Sequence, residues 1–343
     1  MAESTPECTS VLVIPNDSPV YEYFEGISEW TGPLFQYLCT YLGPVNILVN
    51  IFVMFILTRK ELRSPYNLVF FLLALDQTIV IGIWTISMYK NGLFSDCSPS
   101  SYSQFWTVFV LITQLLIPTC KAHAAWLVVI IATMRVVSIR MQGSYEVTIM
   151  SWAVRVKNSS RHSAFSLPRM MHVLLSCLVA LIFVLFADFP NYLAFRITWI
   201  PLKGLCENEK YSDQLVPVVI DSPSIYDNNC LILRLRSLLT GTLFIALPGL
   251  LLVARKERGK IVKRSSKEST DGDRTTYLLI LIMISTMISE IPKAIVFLFE
   301  GLISLRMQAG ITSKIAPLVI SFMLITTAGN LFIYLSMSKK FRE

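Results

Sequence analysis

The chain has 343 residues, is 54% apolar and only 15% charged, and has a mean hydropathy of +0.58. A soluble protein of this length carries about 25% charged residues, so a water-soluble globule does not fit. The net charge of +7 comes without any basic patch interleaved with aromatics, so nucleic acid is not an expected partner.

A bilayer core of about 30 Å needs about 20 apolar residues per helix. Seven stretches meet this requirement: 34–57, 67–89, 104–137, 170–195, 231–254, 276–300 and 314–335. They read as helices, because only helices and closed barrels satisfy backbone polar groups in lipid, and the barrel alternation is absent. The third is longer than one span requires, so it tilts or projects beyond the bilayer. The most loop-like stretches are 141–168, 196–230 and 255–275. The last places Ser265, Ser266, Ser269 and Thr270 beside Lys and Arg, either as phosphorylation sites or simply as a solvated loop. There is no fixed-period repeat and no matching pair of broken helices, which argues against an inverted-repeat transporter.

Basic residues set the expected orientation. Residues 1–33 contain no Lys or Arg and six carboxylates, whereas segment 255–275 carries eight basic residues. The first loop adds Arg59, Lys60 and Arg63. Loop 138–169 adds Arg140, Arg155, Lys157, Arg161 and Arg169. The N-terminus is therefore expected outside a plasma membrane and the C-terminus inside. No cleavable signal peptide is expected, since Val11–Ile14 is too short and lacks a basic flank.

Seven cysteines are too few for a disulfide scaffold. Cys8, Cys97, Cys206 and Cys230 fall outside the bilayer, where Cys97 with Cys206 is the preferred bridge and Cys206 with Cys230 the rival. Cys39, Cys120 and Cys177 read as small packing residues. Asn16-Asp17-Ser18 is a candidate glycosylation acceptor, weakened by Pro19. Asn158-Ser159-Ser160 also matches but falls on the cytoplasmic side.

Asn50, Asp76, Lys121, His123, Arg135, Asp188, Glu290, Lys293 and Asn330 all sit in predicted spans. An ionisable group there costs about 2.5–3.5 kcal/mol on insertion scales, so each is a functional candidate. Asp76 is too deep to snorkel and needs partners such as Asn50 and Asn330. Arg135, near a helix end, either snorkels or serves coupling. Glu290 lies about 21 Å into its helix, where Pro292 removes a backbone hydrogen bond. Lys293 shares a face with Glu290, so the two either neutralise each other or face a ligand. His123 reads as a packed, hydrogen-bonded histidine or as a ligand contact. No nucleophile–base pair, metal-ligand cluster or phosphate loop appears, so neither an enzyme nor a cofactor is expected.

Several motifs carry a family resemblance. Leu57-Thr58-Arg59-Lys60-Glu61-Leu62-Arg63-Ser64-Pro65 follows Asn50; Leu73-Ala74-Leu75-Asp76 lies in the second span; and Trp126-Leu127 precedes Ala132 and Arg135. Pro190-Asn191-Tyr192-Leu193 closes the fourth span, and Pro248 lies in the fifth. Asp273-Arg274-Thr275-Thr276 leads to Glu290-Ile291-Pro292, and Asn330-Leu331-Phe332-Ile333-Tyr334 precedes Met337-Ser338-Lys339-Lys340-Phe341-Arg342. From about Gly43 to Arg342 the chain resembles rhodopsin-like G-protein-coupled receptors. The likeness is closest to invertebrate receptors for FMRFamide-like and myosuppressin peptides and to nematode serpentine receptors of class W.

The resemblance implies an all-α fold: a seven-transmembrane helix bundle at 34–335, after an extracellular segment 1–33 and before a short tail 336–343 that begins a cytoplasmic eighth helix. It implies a peptide ligand outside and a heterotrimeric G protein inside. Glu290, Lys293, Asp188 and His123 would face the ligand. Asn50, Asp76, Arg135, Pro292, Asn330 and Tyr334 would carry activation. There are departures. Asp76 arrives one residue early relative to the preceding loop, Arg135 is flanked by Met134 and Val136 without the usual acid, and Val110 replaces the outer cysteine of the third span. Ala124 stands where the family carries a polar residue of a sodium site, so no sodium is expected. Ile117 in place of an aspartate argues against an amine ligand, and Leu324 in place of a lysine argues against retinal. The acidic second outer loop (Glu207, Glu209, Asp213, Asp221, Asp227) suits a basic peptide or is simply solvated. The alternatives are a chemosensory receptor for environmental small molecules and, less favoured, a transporter using Asp76 and Glu290.

Overall fold

The computed structural model describes residues 19–59, 65–93, 99–153, 166–202, 214–221, 238–239 and 314–329. Helix α1 spans Pro19–Leu57, α2 Pro65–Leu93, α3 Gln104–Ala153, and α4 Ser166–Ala194. A 3-10 turn at Pro99–Tyr102 precedes α3. Strands β1 (Phe195–Pro201) and β2 (Leu215–Asp221) form an antiparallel hairpin. Helix α5, Lys314–Gly329, covers the start of the seventh apolar stretch.

Windows within α1 to α4 are long and apolar enough to cross a membrane. In α4 large apolar side chains such as Ile182, Phe186 and Phe189 are exposed, a surface suited to hydrocarbon rather than water.

Two apolar clusters divide the bundle by depth. One joins Val53 and Leu57 of α1, Val69, Phe70 and Leu73 of α2, Leu127, Val128 and Ile131 of α3, and Val173 and Cys177 of α4. The other joins Phe35 and Cys39 of α1, Val80 and Ile81 of α2, Cys120 of α3, and Ile320, Met323 and Leu324 of α5.

The structure departs from the sequence reading in three places. Helix α1 begins at Pro19, not near residue 34, and buries Thr31, Phe35 and Cys39 at four-residue intervals. Its 39 residues extend about 58 Å, well beyond a core of about 30 Å. Helix α3 continues to Ala153, so the start of the 141–168 stretch is helical rather than loop. The 196–230 stretch contains the hairpin, whose β-branched runs Ile197-Thr198 and Val218-Val219-Ile220 favour pleated backbone.

Candidate functional site

Between the two apolar clusters lies a polar waist. Along α1, Asn46 and Asn50 separate Cys39 from Val53. Along α2, Asp76 and Gln77 separate Leu73 from Val80. On α3, His123 stands between Cys120 and Ala124, and on α5 Thr327 follows Leu324. All six polar side chains are buried.

At the centre of the waist, His123 Nδ1 lies 2.8 Å from Asp76 Oδ2. This corrects the expected partners of Asp76: its ligand among the described residues is His123, not Asn50, whose Nδ2 has no hydrogen-bond partner. Asn330 lies outside the described residues. The pairing follows from helix rotation, because α2 turns Asp76 toward α3 and α3 places His123 on the facing side. With an ionised carboxylate, Nδ1 must carry the proton and donate it. A buried carboxylate without such a donor would be far more costly.

Other buried polar groups are tied across helices. Asn46 Nδ2 donates to the Leu324 carbonyl at 2.8 Å, linking α1 to α5. Among the described residues, Asn46 Oδ1, Asn50 Nδ2, Trp84 Nε1, Thr85 Oγ1, His123 Nε2 and Thr327 Oγ1 have no partner. Asn46, Asn50, His123 and Thr327 belong to the waist, whereas Trp84 packs against the second apolar cluster and Thr85 beside Gly43.

A second polar knot lies nearer the hairpin. Thr119 Oγ1 is 3.0 Å from Asp188 Oδ2 and 2.6 Å from the Tyr192 hydroxyl. The threonine has one proton, and a carboxylate is its strongest acceptor. The Leu115 carbonyl, 2.9 Å from Thr119 Oγ1, competes for that proton, and either hydroxyl of the Thr119–Tyr192 pair can donate. Asp188 is 1% exposed, so its carboxylate is closed off from solvent. The hairpin is seated on α3 by Thr107 Oγ1, which donates to the Pro217 carbonyl at 2.9 Å, and by the buried Val216 and Leu202. This contact lies one turn from Val110, where the resemblance would have placed a cysteine.

Of the other sequence candidates, Arg135 lies on α3, about 18 Å beyond His123 along the helix. Glu290, Pro292, Lys293, Asn330, Tyr334, Cys97, Cys206 and Asn16 lie outside the described residues. Sequence reasoning missed Asn46, Thr107 and Thr119. Asn46 shares a helical face with Asn50, which was a usable signal, whereas a lone threonine in a span gives none.

Comparisons with known proteins bear on the whole chain. A family model described as the serpentine-type 7TM GPCR chemoreceptor Srw matches residues 36–343. The G-protein coupled receptor dmsr-1 of Caenorhabditis elegans is 25% identical over 395 aligned residues, covering 98% of this chain and 72% of that protein. The Sex peptide receptor of Drosophila melanogaster is 23% identical over 341 residues, covering 92% of this chain and 72% of that protein. With four apolar membrane-length helices, a fifth along the seventh stretch and a family match over nearly its whole length, this chain belongs to the Srw family of seven-transmembrane G-protein-coupled receptors.

Proposed function

We propose that the chain is a plasma-membrane receptor for an extracellular peptide, with its N-terminus outside, and that the peptide is FMRFamide-like, with an arginine near an amidated aromatic end. The observation that carries this reading is the near-full-length likeness to a receptor named for a peptide, the Sex peptide receptor. The acidic outer segments at 1–33 and 207–227 suit a basic ligand.

In this mechanism the peptide's arginine pairs with Glu290, beside Lys293. Asp188, which is buried, shapes the wall of the site rather than making first contact. Binding favours the conformer in which the sixth span pivots at Pro292 and opens the opposite face. Arg135 and the basic 255–275 segment then meet the G protein. The waist, with Asn50, Asp76, His123, Asn330 and Tyr334, lies between the two events.

A peptide-library screen in cells expressing the receptor, read through calcium or cAMP, tests the ligand class. Glu290→Gln is expected to weaken an arginine-containing agonist by about tenfold or more, as loss of a charged hydrogen-bonded partner would, with surface expression unchanged. Unchanged potency removes Glu290 from that role. The family description names chemoreceptors, which favours a second reading, an environmental small-molecule ligand. Activation by small odorant-like compounds with silence across the peptide library would select it.

A further inference from the structure

A carboxylate in the middle of a membrane bundle needs a charged or hydrogen-bonding partner. It comes from an ion that enters from solution or from the protein itself. The resemblance implies the first solution, a sodium ion beside Asp76, and the residues here do not fit it. A hard cation requires several oxygen ligands converging on one point. His123 Nδ1 already lies 2.8 Å from Asp76 Oδ2. Ala124, the next residue of α3, is buried and offers only a methyl group. An N–H aimed at the carboxylate repels a cation from the same oxygen.

We propose that the His123 ring is the resident partner of Asp76 and stands where a metal ion would otherwise sit, so that no sodium ion is held at Asp76 in this receptor. Three features support the assignment. The pair is sealed on both sides, since Leu73 and Ala124 belong to one apolar cluster and Val80 and Cys120 to the other. Both side chains are buried, Asp76 at 8% and His123 at 5% exposure. The second ring nitrogen, Nε2, is also buried and has no partner among the described residues, so the ring's hydrogen bond there is the one to Asp76.

The test uses the purified full-length receptor without agonist or G protein, so it is independent of the ligand reading above. Thermal unfolding is followed with a thiol-reactive dye, because Cys39, Cys120 and Cys177 are buried free thiols that unfolding exposes. Melting is compared in sodium chloride and choline chloride at matched ionic strength. Wild type and Asp76→Asn are each expected to melt at the same temperature in the two salts. His123→Ser removes the resident ring and opens the carboxylate. Sodium is then expected to raise its melting temperature by about 2–4 °C, and the double variant Asp76→Asn/His123→Ser loses that rise. A sodium-dependent rise in wild type that disappears in Asp76→Asn overturns the proposal, as does a His123→Ser protein indifferent to sodium. If the serine variant does not fold, wild type and Asp76→Asn alone still decide it.

Discussion

Asn46 shows how one amide holds two helices that are remote in sequence. It is fully buried, and its Nδ2 donates to the Leu324 carbonyl at 2.8 Å. In a membrane such bonds contribute about 0.6 kcal/mol on average and at most about 1.7 kcal/mol. Asn46→Ala is therefore expected to lower stability by about 1 kcal/mol, measured by thermal or denaturant unfolding in micelles; an unchanged midpoint would mean that packing alone holds α1 to α5. At this scale the sequence was informative about cost and silent about pairing. Asp76 was legible as an expensive residue because charge in hydrocarbon is costly whatever surrounds it. Its partner was not, because Asn50 and His123 are both compatible with helical spacing, and only the rotation of α3 against α2 chooses between them. Thr119 was invisible for the same reason. Its role depends on Asp188 and Tyr192, about 70 residues away in sequence.

Among the elements, the α1–α2 contact has a definite weak point. A Cβ on Gly43 would overlap Thr85 Oγ1. Threonine is stiff at χ1, so the hydroxyl does not swing away at small cost. Gly43→Ala is expected to destabilise the receptor by about 1–3 kcal/mol through overpacking. Thr85→Ala should be nearly neutral, since Thr85 Oγ1 is buried without a partner. In the double variant the new methyl meets only Thr85 Cβ, at 3.4 Å, an ordinary contact. A double-mutant cycle on unfolding midpoints should then show a coupling of about 1 kcal/mol or more; strictly additive effects would mean that the helices separate to admit the methyl. The spans themselves were legible because each apolar run is long enough to cross. The first helix's extension was not, because Glu22, Glu25 and Glu29 make it polar, and its helicity rests on packing of Thr31, Phe35 and Cys39. The hairpin had a readable signal in its β-branched runs, obscured by the polar residues between them.

For the whole molecule, the described helices share a polarity that constrains the crossings between them. The starts of α1, α3 and α5 and the end of α4 lie on one face. Phe35, Cys39, Cys120 and Ile320 cluster together, Thr107 holds the hairpin that follows α4, and Lys314 Nζ lies 2.6 Å from Glu25 Oε1. The chain leaves α4 on that face and enters α5 from it. The sequence supplies two apolar stretches between these helices, 231–254 and 276–300. The exposed carboxylates of α1 belong beyond the hydrocarbon, since Glu22, Glu25 and Glu29 are all open to solvent. The face opposite carries Arg59 after α1. By the rule that Lys and Arg stay in the cytoplasm, the hairpin face is proposed to be extracellular. An epitope tag before residue 19 is then expected to label on intact cells. Where Asn16 is glycosylated, Asn16→Gln should sharpen and lower the receptor band on a gel. A tag accessible only after permeabilisation would invert the orientation and place the hairpin and the Asp188 knot in the cytoplasm. The peptide reading, which needs both at the outer surface, would fail with it.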